Sequence, residues 1–214
     1  MAEERNKFNY WYFKDAVPHH VCDDIIKRAS EKKLEIGLTG KHKREDKLNK
    51  KDLFKKRNSD VVWLDEPWIY NHLIPYIHTA NKNADWNYHI ETPEQVQFTK
   101  YGPNQHYGWH PDCEINLKPN KNHRINYYNG KMRKLSMTCL LNDPTEYDGG
   151  EFEFDFRNYD PNKRKPKEHE NVVTEIKTKG SIVIFPSFLW HRVKPVTKGI
   201  RYSLVVWMLG KPWQ

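Results

Sequence analysis

The chain has 214 residues, 37% of them hydrophobic and 30% charged, and its eight Trp, twelve Tyr and nine Phe supply more apolar surface than a disordered chain carries. A mean hydropathy of −0.97 marks a very polar exterior. No stretch reaches the ~18–20 consecutive apolar residues that cross a bilayer, and MAEERNKF lacks the apolar run of a secretory signal, so we expect one soluble, cytoplasmic domain without membrane contact.

Three cysteines, Cys22, Cys113 and Cys139, show no CxxC spacing, which excludes a disulfide framework and a zinc ribbon. The net charge of +8 sits in residues 27–57, whose thirteen basic and five acidic side chains account for all of it. From Asp15 to about Leu34, Val21, Cys22, Ile25, Ile26 and Ala29 recur at helical spacing. Residues 37–60 offer few apolar positions and are expected to form a basic loop. A second helical pattern follows Asp65, with Pro75 expected to kink it.

After Asn83 the pattern becomes short runs of β-branched and aromatic residues, at 96–101, 106–112, 134–142, 150–156, 171–176, 181–185, 189–193 and 201–209. Eight strands separated by turn signals predict a mainly β (α+β) fold, a jelly roll covered on one face by N-terminal helices. The expected organisation is a single domain over 1–214, with a helical support region at 1–90 and the β core at 95–210. Long connections at 114–133 and 157–170 are candidate lids. No phosphate-cradling glycine loop is present, and Gly149-Gly150 reads as a turn.

His110-Pro-Asp112 places an imidazole and a carboxylate at i and i+2, one face of an extended strand. Eleven His in a chain with 28 acidic residues yield roughly one or two such pairs by chance. The second, His89-Ile-Glu91, precedes Thr92-Pro93 and is assigned no metal role. A distal imidazole, His191, would complete a two-histidine, one-carboxylate set that suits ferrous iron. Arg201 and Ser203 share a face on a later strand. Arg201 suits the far carboxylate of a metal-bound keto acid, and Ser203 and Tyr101 suit neutral hydrogen bonds to it.

The stretches YGPNQHYGWHPD, LNDPTEYDGGEFEF and WHRVKPVTKGIR resemble the 2-oxoglutarate- and iron(II)-dependent oxygenases of the prolyl 4-hydroxylase superfamily, most closely the PKHD-type hydroxylases of bacteria and phages. The resemblance covers about residues 95–210. It implies His110, Asp112 and His191 as iron ligands, Arg201 and Tyr101 as 2-oxoglutarate ligands, and Trp207 in a position where the family often has tryptophan. It further implies a double-stranded β-helix, O2 as oxidant, ascorbate as a supporting reductant, and hydroxylation coupled to decarboxylation of 2-oxoglutarate. Asp112 in place of Ala or Gly favours hydroxylation over halogenation.

Tyr107, Trp207, Arg124 and Tyr127 are candidate substrate-pocket residues, with His123 and Tyr128 beside the last two; packing or solvated-loop roles compete at each. Cys113, at odd parity from Asp112, reads as an inert core thiol, and His106 as packing. The expected substrate is a peptidyl prolyl or similar side chain. Competing readings are a hydroxylase of a free amino acid or small metabolite, and a catalytically silent module docking RNA or an acidic partner through the basic run. Nucleic acid is disfavoured, because Phe54 is the one aromatic inside 41–57 and Arg201-YSLVVWML lacks the second arginine of nucleic-acid dealkylases.

Overall fold

The computed structural model describes residues 8–38, 50–113, 130–157, 160–163 and 170–212. In chain order it opens with β1 (Trp11–Phe13), α1 (His19–Ser30), β2 (Glu35–Ile36), α2 (Lys50–Lys56), β3 (Arg57–Asn58), β4 (Asp60–Leu64) and α3 (Pro67–Asn83). There follow β5 (Thr92–Pro93), β6 (Val96–Tyr101), β7 (His106–His110), β8 (Met132–Leu140), β9 (Tyr147–Gly149) and β10 (Phe152–Asp155). The chain closes with β11 (Glu170–Val172), β12 (Ile182–Pro186), β13 (Trp190–Val193), β14 (Val196–Gly199) and β15 (Arg201–Gly210).

The strands pair antiparallel into an eight-stranded major sheet, ordered β1-β12-β8-β15-β6-β4-β2 with β5 beside β15, and a five-stranded minor sheet, ordered β11-β10-β13-β7-β3. A β9–β14 ribbon completes the double-stranded β-helix. All eight strands expected from alternation form, with shifted ends.

Alternation on β15 explains the layering. Leu204, Val206 and Met208 face outward into a cluster with Leu135, Met137 and Cys139 of β8, and this surface is covered by α1 (Val21, Cys22, Ile25, Ala29) and α3 (Ile69, Leu73, Ile77, Ala80). Each buried large aliphatic side chain contributes about 1.5–3 kcal/mol relative to exposure. The opposite faces of the two sheets enclose a smaller cluster of Phe152, Phe154, Val183, Phe185, Val193 and Val196. α3 runs through Pro75 as a single element, and Arg28 of α1 reaches Glu66 at the start of α3 at 2.6 Å.

Two expectations need correction. Residues 37–60 are not a loop throughout: residues 50–56 form α2, and β3 and β4 follow. Among the described side chains of α2 Leu53 is the fully buried one, and Val62 and Leu64 supply the alternation of β4 just past the charged run. The first ninety residues are also not purely helical support, since β1, β2 and β4 extend the major sheet. Among the described residues no helix is long and apolar enough to cross a membrane.

Candidate metal and co-substrate centre

His110 ends β7 and is paired in register with His191 of β13, their rings 4.2 Å apart. Asp112 lies beyond the strand, in a bend where its N–H and that of Cys113 donate to the Ser187 carbonyl at 2.8 and 2.9 Å. The i, i+2 relation therefore comes from this bend rather than from strand alternation.

His110 Nε2 stands 3.7 Å from Asp112 Oδ1, and His191 Nε2 3.6 Å from Oδ2. The three ligand atoms lie within 4.8 Å of one another, the one such group among the described residues. Neighbouring donors roughly 2.1 Å from a shared cation stand about 3.0 Å apart, so the 3.6 and 3.7 Å pairs need close only slightly to hold one. Each imidazole bonds through Nδ1 to a carbonyl two residues earlier, His110 to Gly108 at 2.8 Å and His191 to Leu189 at 2.9 Å. These bonds fix the tautomer and leave both Nε2 lone pairs aimed at the carboxylate.

Burial, then the neighbouring His191, holds the His110 pKa well below its ordinary value, so the ring is neutral and able to ligate. Burial works to raise the Asp112 pKa, but the two imidazoles, Arg133 and a bond from Ser136 carry it down to about 2. Ser136 Oγ donates to Asp112 Oδ2 at 2.7 Å and shares a 2.9 Å bond with Ser187 Oγ. Both serines are buried, so the carboxylate is clamped by side chain and backbone together.

The chemistry of this donor set fits iron(II). For a keto acid, Arg201 is 3% exposed, and its Nη1 is buried without a hydrogen-bond partner. Burying an unsatisfied guanidinium nitrogen is costly unless a ligand satisfies it. Tyr101 lies opposite Arg201 in the β6–β15 register with its ring 5.7 Å from the guanidinium, and burial raises its pKa, keeping the phenol neutral. Ser203 is buried one step further along the same face. Gly150 leaves the space Arg201 needs: a Cβ there would stand 2.8 Å from Arg201 Cδ, and its φ of +66° is left-handed.

Two β-bulges aim further side chains into the site. Between β7 and β13 the register slips from His191–His110 to Val193–Tyr107, so Tyr107 shares the face of His110 despite odd spacing. Its ring stacks on His110 with centroids 3.4 Å apart, and burial pushes its pKa up to about 12. Between β8 and β15 the register steps from Met208–Leu135 to Leu209–Arg133, leaving Lys134 as the extra residue. Arg133 thereby turns inward, its guanidinium 3.7 Å over Trp207 and bound to Glu94 at 2.5 and 2.8 Å. Trp207 lies opposite Ser136, and its buried Nε1 has no hydrogen-bond partner.

Of the residues singled out from sequence, His110, Asp112 and His191 converge with Tyr107 stacked on His110, Arg201 lies by Tyr101, and Ser203 and Trp207 follow Arg201 on β15. Arg124 and Tyr127, with His123 and Tyr128, lie outside the described residues. Cys113 is half-buried rather than a core thiol and is not in the metal group, and His89–Glu91 is a surface ion pair at 3.4 Å. Sequence reasoning missed Ser136, Ser187, Glu94, Arg133 and Arg57. Arg57 is buried on the far face of Tyr107, 4.5 Å from its ring, and its only sequence signal was the strand pattern that follows it.

A family profile described as the 2OG-Fe(II) oxygenase superfamily matches residues 96–209. A PKHD-type hydroxylase of Pseudoalteromonas atlantica is 30% identical over 113 residues, 52% of this chain and 41% of that protein. PKHD-type hydroxylase YbiX of Escherichia coli O157:H7 is 32% identical over 112 residues, 52% of this chain and 40% of that protein. The chain spans about two fifths of the length of these curated relatives. Among solved structures, a Pseudomonas putida prolyl-4-hydroxylase aligns over 94% of this chain and 91% of its own with TM-score 0.61 and 17% identity. The viral collagen prolyl hydroxylase of Paramecium Bursaria Chlorella virus-1 aligns over 95% and 97% with TM-score 0.60 and 19% identity.

Proposed function

Because the chain belongs to the 2OG-Fe(II) oxygenase superfamily, we propose that it is a hydroxylase of a peptidyl side chain, proline or one like it. In this reading His110, Asp112 and His191 hold iron(II), while Arg201, Tyr101 and Ser203 hold the far carboxylate of 2-oxoglutarate. When bound, the iron and the keto acid supply oxidative decarboxylation to succinate and CO2 and insertion of one oxygen atom of O2 into a substrate C–H bond.

The chain's own residues supply geometry and electrostatics. Arg201 presents a planar, charged donor fork, and its burial strengthens the pairing with a carboxylate. Tyr101, kept neutral, adds a donor without adding charge. Ser136 occupies Asp112 Oδ2, leaving Oδ1 for the cation.

The half-buried Tyr107 ring would offer an apolar wall, and the buried, unpartnered Trp207 N–H a donor for a peptide carbonyl. A ring-bearing residue held within a polypeptide satisfies both. The prolyl hydroxylase names of the structural neighbours point the same way.

Two observations carry the reading together: three ligand atoms converge within 4.8 Å, and Arg201 buries a guanidinium nitrogen that lacks a partner. The test supplies iron(II), 2-oxoglutarate and O2 with a panel of proline-containing peptides, then with free amino acids. Succinate release matched by oxygen incorporated into peptide is expected. Succinate matched to a free amino acid would replace the peptidyl reading with the small-metabolite one, and no succinate with iron bound would leave a silent binding module.

A further inference from the structure

The centre described above makes no use of the basic segment, yet the fold brings that segment to the metal strand. α2 is anchored by the fully buried Leu53 and leads directly into β3, and β3 pairs with β7, the strand of His110. The Lys56 carbonyl would stand 3.2 Å from a Cβ on Gly108, and the Lys55 carbonyl is 3.4 Å from His106 Nε2. The helix therefore packs on the ligand-bearing strand itself, with Lys55 and Lys56 exposed. Asp52 meets Lys55 at 3.2 Å, an exposed pair that neutralises little.

Beneath these lysines lies Arg57, 6% exposed. It donates to Ser59 Oγ at 2.8 Å, the Leu38 carbonyl at 3.1 Å and Gln97 Oε1 at 2.6 Å, all neutral acceptors. No ion pair joins it to a carboxylate among the described residues. Gly37 lets the backbone close over it, since a Cβ there would stand 2.6 Å from Arg57 Nε. A buried cation held by neutral partners keeps its field, and weakly screened surroundings extend that field toward the approach to Tyr107 and His110.

We propose that the hydroxylated residue sits in an acidic stretch of polypeptide, whose carboxylates are drawn to the approach formed by α2 and Arg57. This rests on the peptidyl reading above and names its substrate class. Acidic peptide fits better than RNA because α2 has Phe54 as its single aromatic, and that ring is half-buried, so no exposed stacking platform accompanies the charge.

The test compares three proline peptides of one length, flanked by Asp and Glu, by Ser, or by Lys, with KM and kcat measured separately by oxygen incorporation. The acidic peptide is expected to show a KM about tenfold below the neutral one at low ionic strength, narrowing as salt is added. The double variant Lys55→Glu with Lys56→Glu should raise the acidic peptide's KM toward or above that of the neutral one while leaving peptide-independent succinate release unchanged. Equal KM values for the three peptides, or a preference indifferent to charge reversal, overturn the proposal and leave the hydroxylase reading standing. Succinate release without hydroxylation of any peptide overturns both. A parallel titration with single-stranded polyuridylate at moderate salt covers the rival occupant: binding lost in the Lys55→Glu, Lys56→Glu variant, with no peptide charge preference, would assign the surface to RNA.

Discussion

The two faces of the major sheet are buried to a similar degree and built from opposite chemistry. Toward the helices, β15 and β8 present Leu204, Val206, Met208, Leu135 and Met137, packed on Leu73 and Ile77 of α3. Toward the minor sheet the same strands present Arg201, Ser203, Trp207 and Ser136, all nearly inaccessible. The first face stabilises by about 25 cal/mol per Å2 of apolar area removed from water. The second includes donors whose partners are missing, each costing about 1–3 kcal/mol until a ligand satisfies it. Stability and chemistry are thus segregated onto alternate residues of the same strands, and the helix-covered face supports the cost of the other.

That segregation can be broken from either side. Asp112→Ala should reduce affinity for Mn(II) by about a hundredfold or more, since losing a direct ligand costs at least as much as the 10–100-fold lost with an outer-shell partner, with the far-ultraviolet circular dichroism and melting temperature little changed. Manganese electron paramagnetic resonance checks the first and thermal melting the second; unaltered metal affinity would refute the ligand assignment. On the other face, Leu73→Ala should cost about 2–5 kcal/mol of unfolding free energy, read by urea titration, with Mn(II) affinity intact at 10 °C or below where the fold survives.

Two smaller changes sharpen the boundary. Ser136→Ala removes the clamp on Asp112 Oδ2 and should weaken Mn(II) binding about tenfold, a loss that Ser136→Thr restores by keeping the hydroxyl. Far from the site, Glu66 ties α1 to α3. Burial tends to raise its pKa, but hydrogen bonds from Arg28 and Lys32 hold it down to about 2. A depressed carboxylate pKa means that its contribution is complete above the ordinary value near 4.5 and is lost as pH falls toward 2. Glu66→Gln should therefore be less stable than the parent by under about 1 kcal/mol at pH 7, with the gap closing between pH 4.5 and 2 and metal affinity unaffected throughout.

The strands of the β core were legible because alternation and turn residues are local signals: Val96–Tyr101 and Arg201–Gly210 formed with ends shifted by one residue at most. His110, Asp112 and His191 come together because β7 pairs with β13 and the bend after His110 turns Asp112 toward both imidazoles. What stayed hidden was of two kinds. Short edge pairings such as β2 and β3 have two residues each, too few for any period to register. The bulges at Gly108–Trp109 and at Lys134 leave no mark in composition, so strand parity alone would separate Tyr107 from His110 and gives no reason to consider Arg133. Arg57 was masked by its neighbours, one charge among many until burial singled it out.

Lys134 shows how one extra residue in a ladder decides which neighbour a strand presents. Deleting Lys134 would leave Arg133 opposite Leu209 in a regular ladder and still facing the indole, whereas keeping it in a ladder without the bulge would turn Arg133 out toward the aliphatic layer and bring Lys134 in. The bulge thus selects which of two adjacent basic side chains meets Trp207 and Glu94. In this scaffold, counting residues before a strand enters its ladder is as informative as reading their letters.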